Sequence, residues 1–416
     1  MADLNPGIRA DLLQAPDVEV SFLPMDAIGE DGTLDLSRNR AVAEVRNGYS
    51  YFEEGDVAFA KVTPCFENGK GALMRGLELG AGFGTTEITV LRPKVGTEPR
   101  FLNYVLRSEQ FRQNGVGAMT GAGGLKRVPD EFTRDFKTPW PTPAEQERIA
   151  NFLDEQTARI DALIAEKERL LQSLDELRDA TCRSAFTRGL VSKTPLVESG
   201  EQFLGEIPVH WKVLPWKRLG YFTGGAGFPI EYQGVTTEEL PFFKVKDLDA
   251  ADLLHPLTET DNTVSRETAT KLRANVFPVG TLTFAKVGAA LLLMRVRRLG
   301  VPGCLDNNMM AFIPDQAVVD PLFAQLALGL LPLDWLVNPG AVPSVSASQV
   351  GEVKVALPAL NEQRQIAAYV QSKFAEFAGV RSHLHEHIGR LREYRSSLIS
   401  AAVTGQLDLS TFKAAE

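Results

Sequence analysis

The sequence predicts an α+β protein made of two similar halves, each a globular unit followed by a long helix. Two repeats lead to this prediction. PTPAEQERIANFL at 141–153 returns as PALNEQRQIAAYV at 358–370, and a heptad pattern of apolar residues follows each copy. Upstream, GDVAFAKV at 55–62 returns as GTLTFAKV at 280–287. A duplicated segment is the economical explanation, so the two halves should share one architecture.

The globular units are predicted at 1–140 and 201–357. A chain of 416 residues is too long for one ordinary domain. Each FAKV repeat has the pattern of a turn followed by an alternating strand. Further strands are predicted at EITVLRP (87–93), PFFKVKDL (241–248), LLLMRVRRL (291–299) and NMMAFIP (308–314), and short helices at 101–113 and 321–330.

The helical regions are predicted at 141–200 and 358–416. Glu145 and Gln146 align with Glu362 and Gln363, 217 residues later, and this offset continues without a gap to Leu190 and Leu407. Each copy follows a proline-rich lead-in and carries acidic residues in its first turn, as a helix N-terminus prefers. A helix from Glu145 to about residue 184 would be roughly 60 Å long at 1.5 Å per residue.

Residues spaced alternately by four and three predict an apolar seam along each helix. Such a seam requires a partner helix, and the other copy is the nearest candidate, packed as a coiled coil. The predicted seam comprises Ile149, Leu153, Ile160, Leu163, Leu170, Leu174 and Leu177 in the first copy, and Ile366, Val370, Phe377, Val380, Leu384, Leu391 and Leu398 in the second. The polar residues between them are Gln156, Lys167, Lys373 and His387.

The sequence shows no recognisable targeting signal or membrane-spanning segment. The start MADLNPGIRADLL lacks the basic and then apolar run of a secretory peptide, which predicts a cytoplasmic protein. The apolar stretches at 287–294 and 321–337 are too short or too interrupted to span a bilayer. The three cysteines, Cys65, Cys182 and Cys304, are far apart in sequence and form no C-x-x-C pair. Free thiols are therefore expected rather than a disulfide framework or a zinc ribbon.

The order of globular unit, EQ-starting helix, second globular unit and second EQ-starting helix resembles the specificity (S) subunit of type I restriction-modification systems. Several stretches are similar to that family in detail: GDVAFAKVTPCFENGKG (55–71), TGAGGLKRVP (120–129), LGEIPVHW (204–211), PFFKVKDL (241–248) and RSSLISAAVTGQLDL (395–409). LGEIPVHW precedes the second globular unit and has no clear match before the first. The resemblance covers most of the chain.

The resemblance implies two target recognition domains, each reading one half of a bipartite sequence in double-stranded DNA. It also implies that the two helices pair antiparallel and fix the length of the unread spacer. Such a subunit has no catalytic activity. It docks two methyltransferase (M) subunits, which bind S-adenosylmethionine, and leaves room for two restriction/translocase (R) subunits. The alternative from the residues alone is a coiled-coil scaffold that binds proteins without reading DNA sequence.

Any contact with DNA must be focal, because the net charge is −9 and no segment is basic overall. Lys61 and Lys286 occupy the same place in the two FAKV strands, and a flexible glycine loop precedes Lys126. An ordinary solvated surface explains many such charges equally well. The candidate contacts are Lys61, Lys70, Lys126, Arg127, Lys244, Lys246, Lys286, Arg295, Arg297 and Arg298. Lys244 and Lys246 are expected to share one face of a strand, as are Arg295 and Arg297.

The sequence gives little support for an enzymatic site or a metal site. His383 and His387 lie one helical turn apart, but no third ligand is evident, so no metal site is predicted. The glycine-rich stretches at 80–84 and 224–227 lack the strand-to-helix context of a dinucleotide fingerprint. No GxxxxGK[ST], HExxH or GxSxG motif is present. The chain is therefore not expected to be an enzyme or to bind a cofactor.

Overall fold

The computed structural model describes residues 1–122, 124–249, 253–338 and 342–409. The chain divides into two compact units: unit 1 comprises Met1–Leu170 with His383–Glu416, and unit 2 comprises Leu171–Ser382. The division cuts both long helices, so each unit contains a part of each helix. It thus differs from the sequence-based boundaries, which set 141–200 and 358–416 apart as separate helical regions.

Unit 1 contains short strands and helices that precede the first long helix. Its strands are β1 (Ala2–Leu4), β2 (Glu19–Leu23), β3 (Asn39–Ala41), β4 (Ser50–Glu53), β5 (Val57–Ala60), β6 (Gly71–Leu73), β7 (Ala81–Gly84), β8 (Ile88–Pro93), β9 (Thr120–Ala122) and β10 (Leu125–Arg127). Its helices are α1 (Ala10–Leu13), α2 (Val42–Val45), α3 (Pro99–Arg107), α4 (Glu109–Ala118), α5 (Asp130–Asp135) and the first part of α6 (Pro143–Arg188).

Unit 2 begins within α6 and ends within the second long helix. Its strands are β11 (Leu196–Glu198), β12 (Glu206–Pro208), β13 (Lys212–Pro215), β14 (Gly220–Gly224), β15 (Leu240–Phe243), β16 (Thr263–Val264), β17 (Leu282–Ala285), β18 (Arg297–Arg298), β19 (Cys304–Leu305), β20 (Met309–Pro314) and β21 (Lys354–Leu357). Its helices are α7 (Arg266–Lys271), α8 (Ala289–Leu292), α9 (Pro321–Leu328), α10 (Leu333–Leu336), α11 (Ala347–Glu352) and the first part of α12 (Leu360–Val403).

Both units are built on the same pair of sheets. An antiparallel sheet has the order β1-β8-β5-β6 in unit 1 and β14-β20-β17-β18 in unit 2. A second sheet contains one parallel pair, β2 with β7 in unit 1 and β15 with β19 in unit 2. The duplication seen in the sequence is therefore a duplication of topology.

The strand register is conserved between the halves as well. In unit 1 Val57 pairs with Leu91 and Ala60 with Ile88. In unit 2 Leu282 pairs with Phe312, and the next three pairs follow in the same way. All four residues of β5 and of β17 are buried, as expected for a central strand that is covered on both faces.

A buried glutamine attaches α6 to the globular part of unit 1. Gln146 has no exposed surface, so its amide requires hydrogen-bond partners. Its Oε1 accepts a hydrogen bond from the backbone N–H of Glu98 at 2.9 Å, and its Nε2 donates to the carbonyl of Pro141 at 2.8 Å. Glu98 is the N-cap of α3. The long helix and α3 are therefore held at a fixed distance.

Gln363 makes the equivalent attachment in unit 2. It is also fully buried. Its Oε1 accepts from the backbone N–H of Asp320 at 2.8 Å, and its Nε2 donates to Pro358 at 2.9 Å and to Val318 at 3.1 Å. Asp320 is the N-cap of α9, which like α3 begins with proline. The repeated EQ pair thus has a structural role in both halves.

Within each unit the two long helices pack antiparallel. In unit 1, Ile149 and Leu153 near the start of α6 share a core with Leu398 and Val403 near the end of α12. In unit 2, the order is reversed: Ala185 and Phe186 near the end of α6 share a core with Ile366 and Val370 near the start of α12. Ion pairs flank both contacts, including Arg395 with Asp161 at 2.9 Å in unit 1 and Arg381 with Asp175 at 2.6 Å in unit 2.

The seam of α6 differs from the predicted one at alternate positions. Ile149, Leu153 and Ile160 are buried, but Leu163, Leu170 and Leu177 are about half exposed. The next residue is less exposed at each of these places, since Ile164, Leu171 and Arg178 are half-buried, and Thr157 is likewise buried next to the predicted Gln156. Successive residues point about 100° apart around a helix, so a shift of one residue removes a side chain from the interface. The choice of Leu163, Leu170 and Leu177 was therefore wrong.

The seam of α12 shows a similar shift at some of the positions 217 residues later. Val370, Phe377, Leu384, Leu391 and Leu398 are buried or half-buried. Val380 is exposed. Ile388 is buried next to the exposed His387 of the predicted seam, whereas Lys373 and Phe374 are both half-buried. The correction is thus only partly symmetric, because Arg381, the equivalent of the half-buried Ile164, is exposed.

The remaining sequence expectations concern membranes, metals and thiols. Within the described residues, no helix combines the length and apolarity needed to cross a membrane, and no cluster of three potential metal ligands is found. The cysteines are free, Cys182 and Cys304 being buried. Burial raises the pKa of each of these two thiols to about 11, so both are protonated at neutral pH.

Replacement of Gln363 by alanine tests the attachment of α12. Gln363→Ala leaves the buried carbonyl of Pro358 and the partly buried backbone groups of Asp320 and Val318 without their partner, which should lower the free energy of unfolding by about 2–4 kcal/mol. Gln365→Ala is the matched control, because Gln365 is exposed on the same helix. Urea unfolding followed by circular dichroism measures both. Equal stability of the two variants would contradict the structural role of Gln363.

Candidate nucleic-acid interface

In unit 1 the backbone holds Lys61 at the end of β5. Its N–H donates to the carbonyl of Glu87 at 2.8 Å, and its carbonyl accepts from Val128 at 2.8 Å. The side chain is partly exposed, and its ammonium forms no ion pair with any carboxylate in the described part of the chain. Lys61 therefore presents a partly exposed positive charge from a rigid backbone, with the Glu87 carboxylate close enough for its pKa to be lowered by Arg127 and also by this charge.

In unit 2 the backbone holds Lys286 in the same way at the end of β17. Its N–H donates to Asn308 at 2.9 Å, and its carbonyl accepts from Val345 at 3.0 Å. This side chain is also partly exposed, and no ion pair to it occurs within the described ranges. The two FAKV lysines thus occupy equivalent positions in the two units.

A hairpin of β9 and β10 lies beside Lys61. All of its strand residues are exposed, and an isolated bridge between Val62 and Arg127 joins it to the end of β5. Gly121 has a φ of 140°, and a Cβ there would lie 2.4 Å from the carbonyl oxygen of Leu125. Only glycine allows this close approach of the two strands. The exposed Lys126 follows the turn.

Arg127 in the same hairpin is already neutralised. Its guanidinium donates two hydrogen bonds to the Glu87 carboxylate, at 2.7 and 2.8 Å. These bonds hold the pKa of Glu87 below its ordinary value. The charge of Arg127 is therefore balanced by Glu87, and the residue serves to orient the hairpin. Lys126 is the cation of the pair that remains available to a ligand.

A shorter counterpart of the hairpin lies beside Lys286. Bridges join Val287 to Ser344 and Asn338 to Ser344, and Gly288 donates to the carbonyl of Pro343 at 2.8 Å. The residues between, 339–341, lie outside the described part of the chain. Each unit thus combines a lysine at a strand end with an adjoining loop.

The predicted strand that would carry Lys244 and Lys246 ends too early. The strand β15 stops at Phe243, and Lys246 lies in a short 3₁₀ helix, Val245–Leu248. The two side chains therefore do not alternate along one strand, and that expectation was wrong. Lys244 donates to Gln233 at 2.7 Å, while Lys246 pairs with Asp261 at 2.6 Å.

The predicted strand at 291–299 is also interrupted, which changes the role of Arg297. Helix α8 ends at Leu292, and only Arg297 and Arg298 form a strand. Arg297 is 4% exposed, and its guanidinium donates to the carbonyls of His255 at 2.8 Å and Asp247 at 3.5 Å. It supports the interior of unit 2 and was wrongly chosen as a surface contact.

The other basic candidates differ in how far they are engaged. Arg295 pairs with Asp249 at 3.1 Å, and Lys70 donates to the carbonyl of Met25 at 3.1 Å. Arg298 is half-buried, next to Arg297 in β18. The structure brings Lys61 together with Lys126, and sets Lys286 beside the 342–344 loop. These lysines, like Arg298, have no carboxylate paired to them among the described residues.

The sequence reasoning missed two turns that follow the lysines, at 66–69 and 291–294. Both lie where the connection to the next strand leaves the end of β5 or β17. The signal was available, because the FAKV alignment continues without a gap at an offset of 225 residues and places Phe66 over Leu291.

Replacement of Arg297 by alanine separates a structural arginine from a surface one. Arg297→Ala removes the partner of buried carbonyls and should lower the free energy of unfolding by about 2–4 kcal/mol. Its neighbour gives the control: Arg298→Ala should change stability by less than about 0.5 kcal/mol. Urea unfolding provides the measurement. A negligible effect of Arg297→Ala would show that its bonds to the backbone do not support the fold.

Comparison with known proteins finds sequence relatives among type I restriction specificity subunits. No protein-family model matches the chain. The specificity subunits of the type I restriction enzymes EcoEI and EcoAI of Escherichia coli are 38% and 37% identical over 180 residues, which are 42% of this chain and 29% of each relative. The chain therefore spans less than a third of the length of these relatives. The putative type I restriction enzyme MjaX specificity subunit of Methanocaldococcus jannaschii is 21% identical over 86% of this chain and 79% of its own.

Solved structures share the fold. A chain from a study of complex assembly and conformational transition of the type I R-M system matches with a TM-score of 0.76 and 18% identity, over 97% of this chain and 95% of that one. The HsdS subunit of Thermoanaerobacter tengcongensis matches with a TM-score of 0.56 and 19% identity, over 97% and 94%. The chain therefore shares the fold of these structures, and the sequence relatives named above are type I restriction specificity subunits.

Proposed function

We propose that the chain is the DNA-reading subunit of a type I restriction-modification complex, and that each unit reads one half of a bipartite target. The observation that carries the proposal is the pair Lys61 and Lys286. The same backbone hydrogen bonds hold each lysine at the end of the same strand, with no carboxylate paired to it among the described residues. Two equivalent cations suit two readers that meet phosphates of one duplex.

Focal charge makes this proposal compatible with an acidic chain. Most of the predicted basic candidates are engaged by carboxylates or carbonyls, which leaves Lys61, Lys126 and Lys286 with available ammonium groups. A small number of phosphate contacts positions a protein on DNA, whereas base contacts supply its specificity. A net charge of −9 should repel DNA elsewhere on the surface, so binding would depend on these positions.

The paired helices fit two further parts of the proposed role. Since each helix contributes to both units, the pair would set the length of the unread spacer. Exposed apolar residues recur on the helices at matched positions, Leu163 with Val380 and Leu177 with Tyr394. Apolar side chains left outside a seam favour a docked partner, so we assign the same kind of surface in each unit to one methyltransferase subunit.

The chain itself would carry out no reaction in this complex. S-adenosylmethionine would bind to the methyltransferase subunits, and restriction/translocase subunits would join the assembly through them. The contribution of this chain is to choose the sequence at which its partners act.

A protein-binding scaffold is the second candidate function. The exposed apolar residues of α6 and α12 favour it, because they suit a protein partner whether or not DNA is read. The two functions differ in their electrostatics, which allows a direct comparison.

The proposed function predicts a methylation pattern that depends on this gene. Chromosomal adenine methylation would be mapped by single-molecule sequencing in the native host, with the gene present and deleted. We expect a split methylation motif that disappears on deletion, since the specificity subunit would determine the sequence at which the methyltransferase acts. A motif that persists after deletion, or no gene-dependent motif while the methyltransferase is active, would contradict the proposal.

Salt dependence distinguishes DNA reading from scaffolding. Each phosphate contact releases counterions, so the affinity for a duplex should fall steeply as salt rises, and Lys61→Ala with Lys286→Ala should reduce the slope of log K against log[salt] by about 2. Lys217→Ala with Lys354→Ala is the control, because both lysines are paired with glutamates. A slope that the Lys61 and Lys286 changes leave unaltered would place the phosphate contacts elsewhere.

A further inference from the structure

The two turns missed by the sequence reasoning share a backbone hydrogen bond and a positive φ at the last residue, although the turn of unit 2 begins within the end of α8. In unit 1, the N–H of Gly69 donates to the carbonyl of Phe66 at 2.9 Å, and Gly69 has a φ of 77°. In unit 2, the N–H of Met294 donates to the carbonyl of Leu291 at 3.0 Å, and Met294 has a φ of 41°. We call residues 66–69 and 291–294 the tip turns. Their 225-residue offset is the one that relates Lys61 to Lys286.

Each tip turn anchors its first residue in the core and displays the next two. Phe66 and Leu291 are buried. Glu67 and Asn68 are exposed in unit 1. Leu292 and Leu293 occupy the corresponding places in unit 2 and are 56% and 58% exposed. The same geometry therefore presents a polar pair in one unit and an apolar pair in the other.

The displayed leucines are difficult to explain by folding alone. Met294 takes a left-handed conformation that L-residues adopt at an energetic cost and that glycine adopts freely, as Gly69 does in unit 1. This conformation returns the chain to the core, where Met294 is buried, and leaves Leu292 and Leu293 outside it. Two adjacent exposed leucines gain no burial in return, which points to a contact with another molecule.

The position of the tip turns indicates which molecule. Each turn lies in the loop that joins two antiparallel strands, β5 to β6 or β17 to β18, and begins five residues after Lys61 or Lys286, the cations assigned to phosphates above. A side chain displayed beside a phosphate contact is placed to reach base edges in a groove. The chemistry of the two pairs suits different bases: leucine contacts the thymine methyl group, whereas glutamate accepts a hydrogen bond from the cytosine amino group.

We infer that the tip turns are base-reading elements, with Leu292 and Leu293 contacting thymine methyl groups in one half-site and Glu67 accepting from a base amino group in the other. The inference rests on the proposed function and adds the residues that distinguish the half-sites. Asn68 already donates to Glu30 at 2.9 Å, which fixes the turn beside Glu67. Within the described residues, Glu67 itself has no hydrogen-bond or ion-pair partner.

Selection from a library of random duplexes tests the inference with the full-length chain. The wild-type protein should enrich a split motif. Leu292→Ser with Leu293→Ser should lose the preference for thymine in one half-site and bind the wild-type motif about tenfold more weakly. Glu67→Leu should change the other half-site only. Serine replaces exposed leucines here, so the thermal unfolding midpoint should be unchanged.

Val279→Ser is the matched control. Val279 is 54% exposed in unit 2 and precedes β17, whereas the tip turn follows it, so its replacement should alter neither the motif nor the affinity. A Leu292 and Leu293 variant that selects the wild-type motif with wild-type affinity would overturn the inference, as would a change in both half-sites. If the wild-type chain selected no motif, the proposed function would fail first, and the inference with it.

Discussion

Two buried glutamines impose the constraint on which the rest of the structure depends. A side-chain amide without contact to water must find partners for its oxygen and its nitrogen. Gln146 and Gln363 find them in the backbone at the N-caps of α3 and α9 and in their own proline lead-ins. These bonds allow one placement of each long helix against its globular layer. The helix seams and the strand ends that carry Lys61 and Lys286 follow from that placement.

The fold could be predicted because its signals are local and occur twice. The EQ helix starts and the FAKV strands are recognisable within a dozen residues, and their order gives the architecture. The phase of the helix seam could not be read in the same way. Adjacent apolar residues, Leu163 with Ile164 and Leu170 with Leu171, satisfy the heptad spacing equally well. Only the packed partner decides which of the two is buried.

Residues of the candidate site could be predicted where the sequence repeats them. They could not be predicted where contacts distant in sequence determine whether a side chain is exposed. Lys61 and Lys286 were identified by their matched positions. Arg297 resembles a surface cation in sequence, but its partners are carbonyls 42 and 50 residues away, which no local pattern reveals. The tip turn of unit 2 was hidden because LLLMRVRRL alternates like a strand, and the positive φ of Met294 interrupts that alternation.

The sharing of α6 and α12 between both units has a consequence for how such a chain can diverge. An insertion into α6 between its unit 1 and unit 2 parts keeps both seams in register only if α12 gains equal length at the facing place. The two helices should therefore change length in matched steps during evolution. Duplication of one segment produces two helices of equal length. The present helices, with 46 and 44 residues, are still nearly equal.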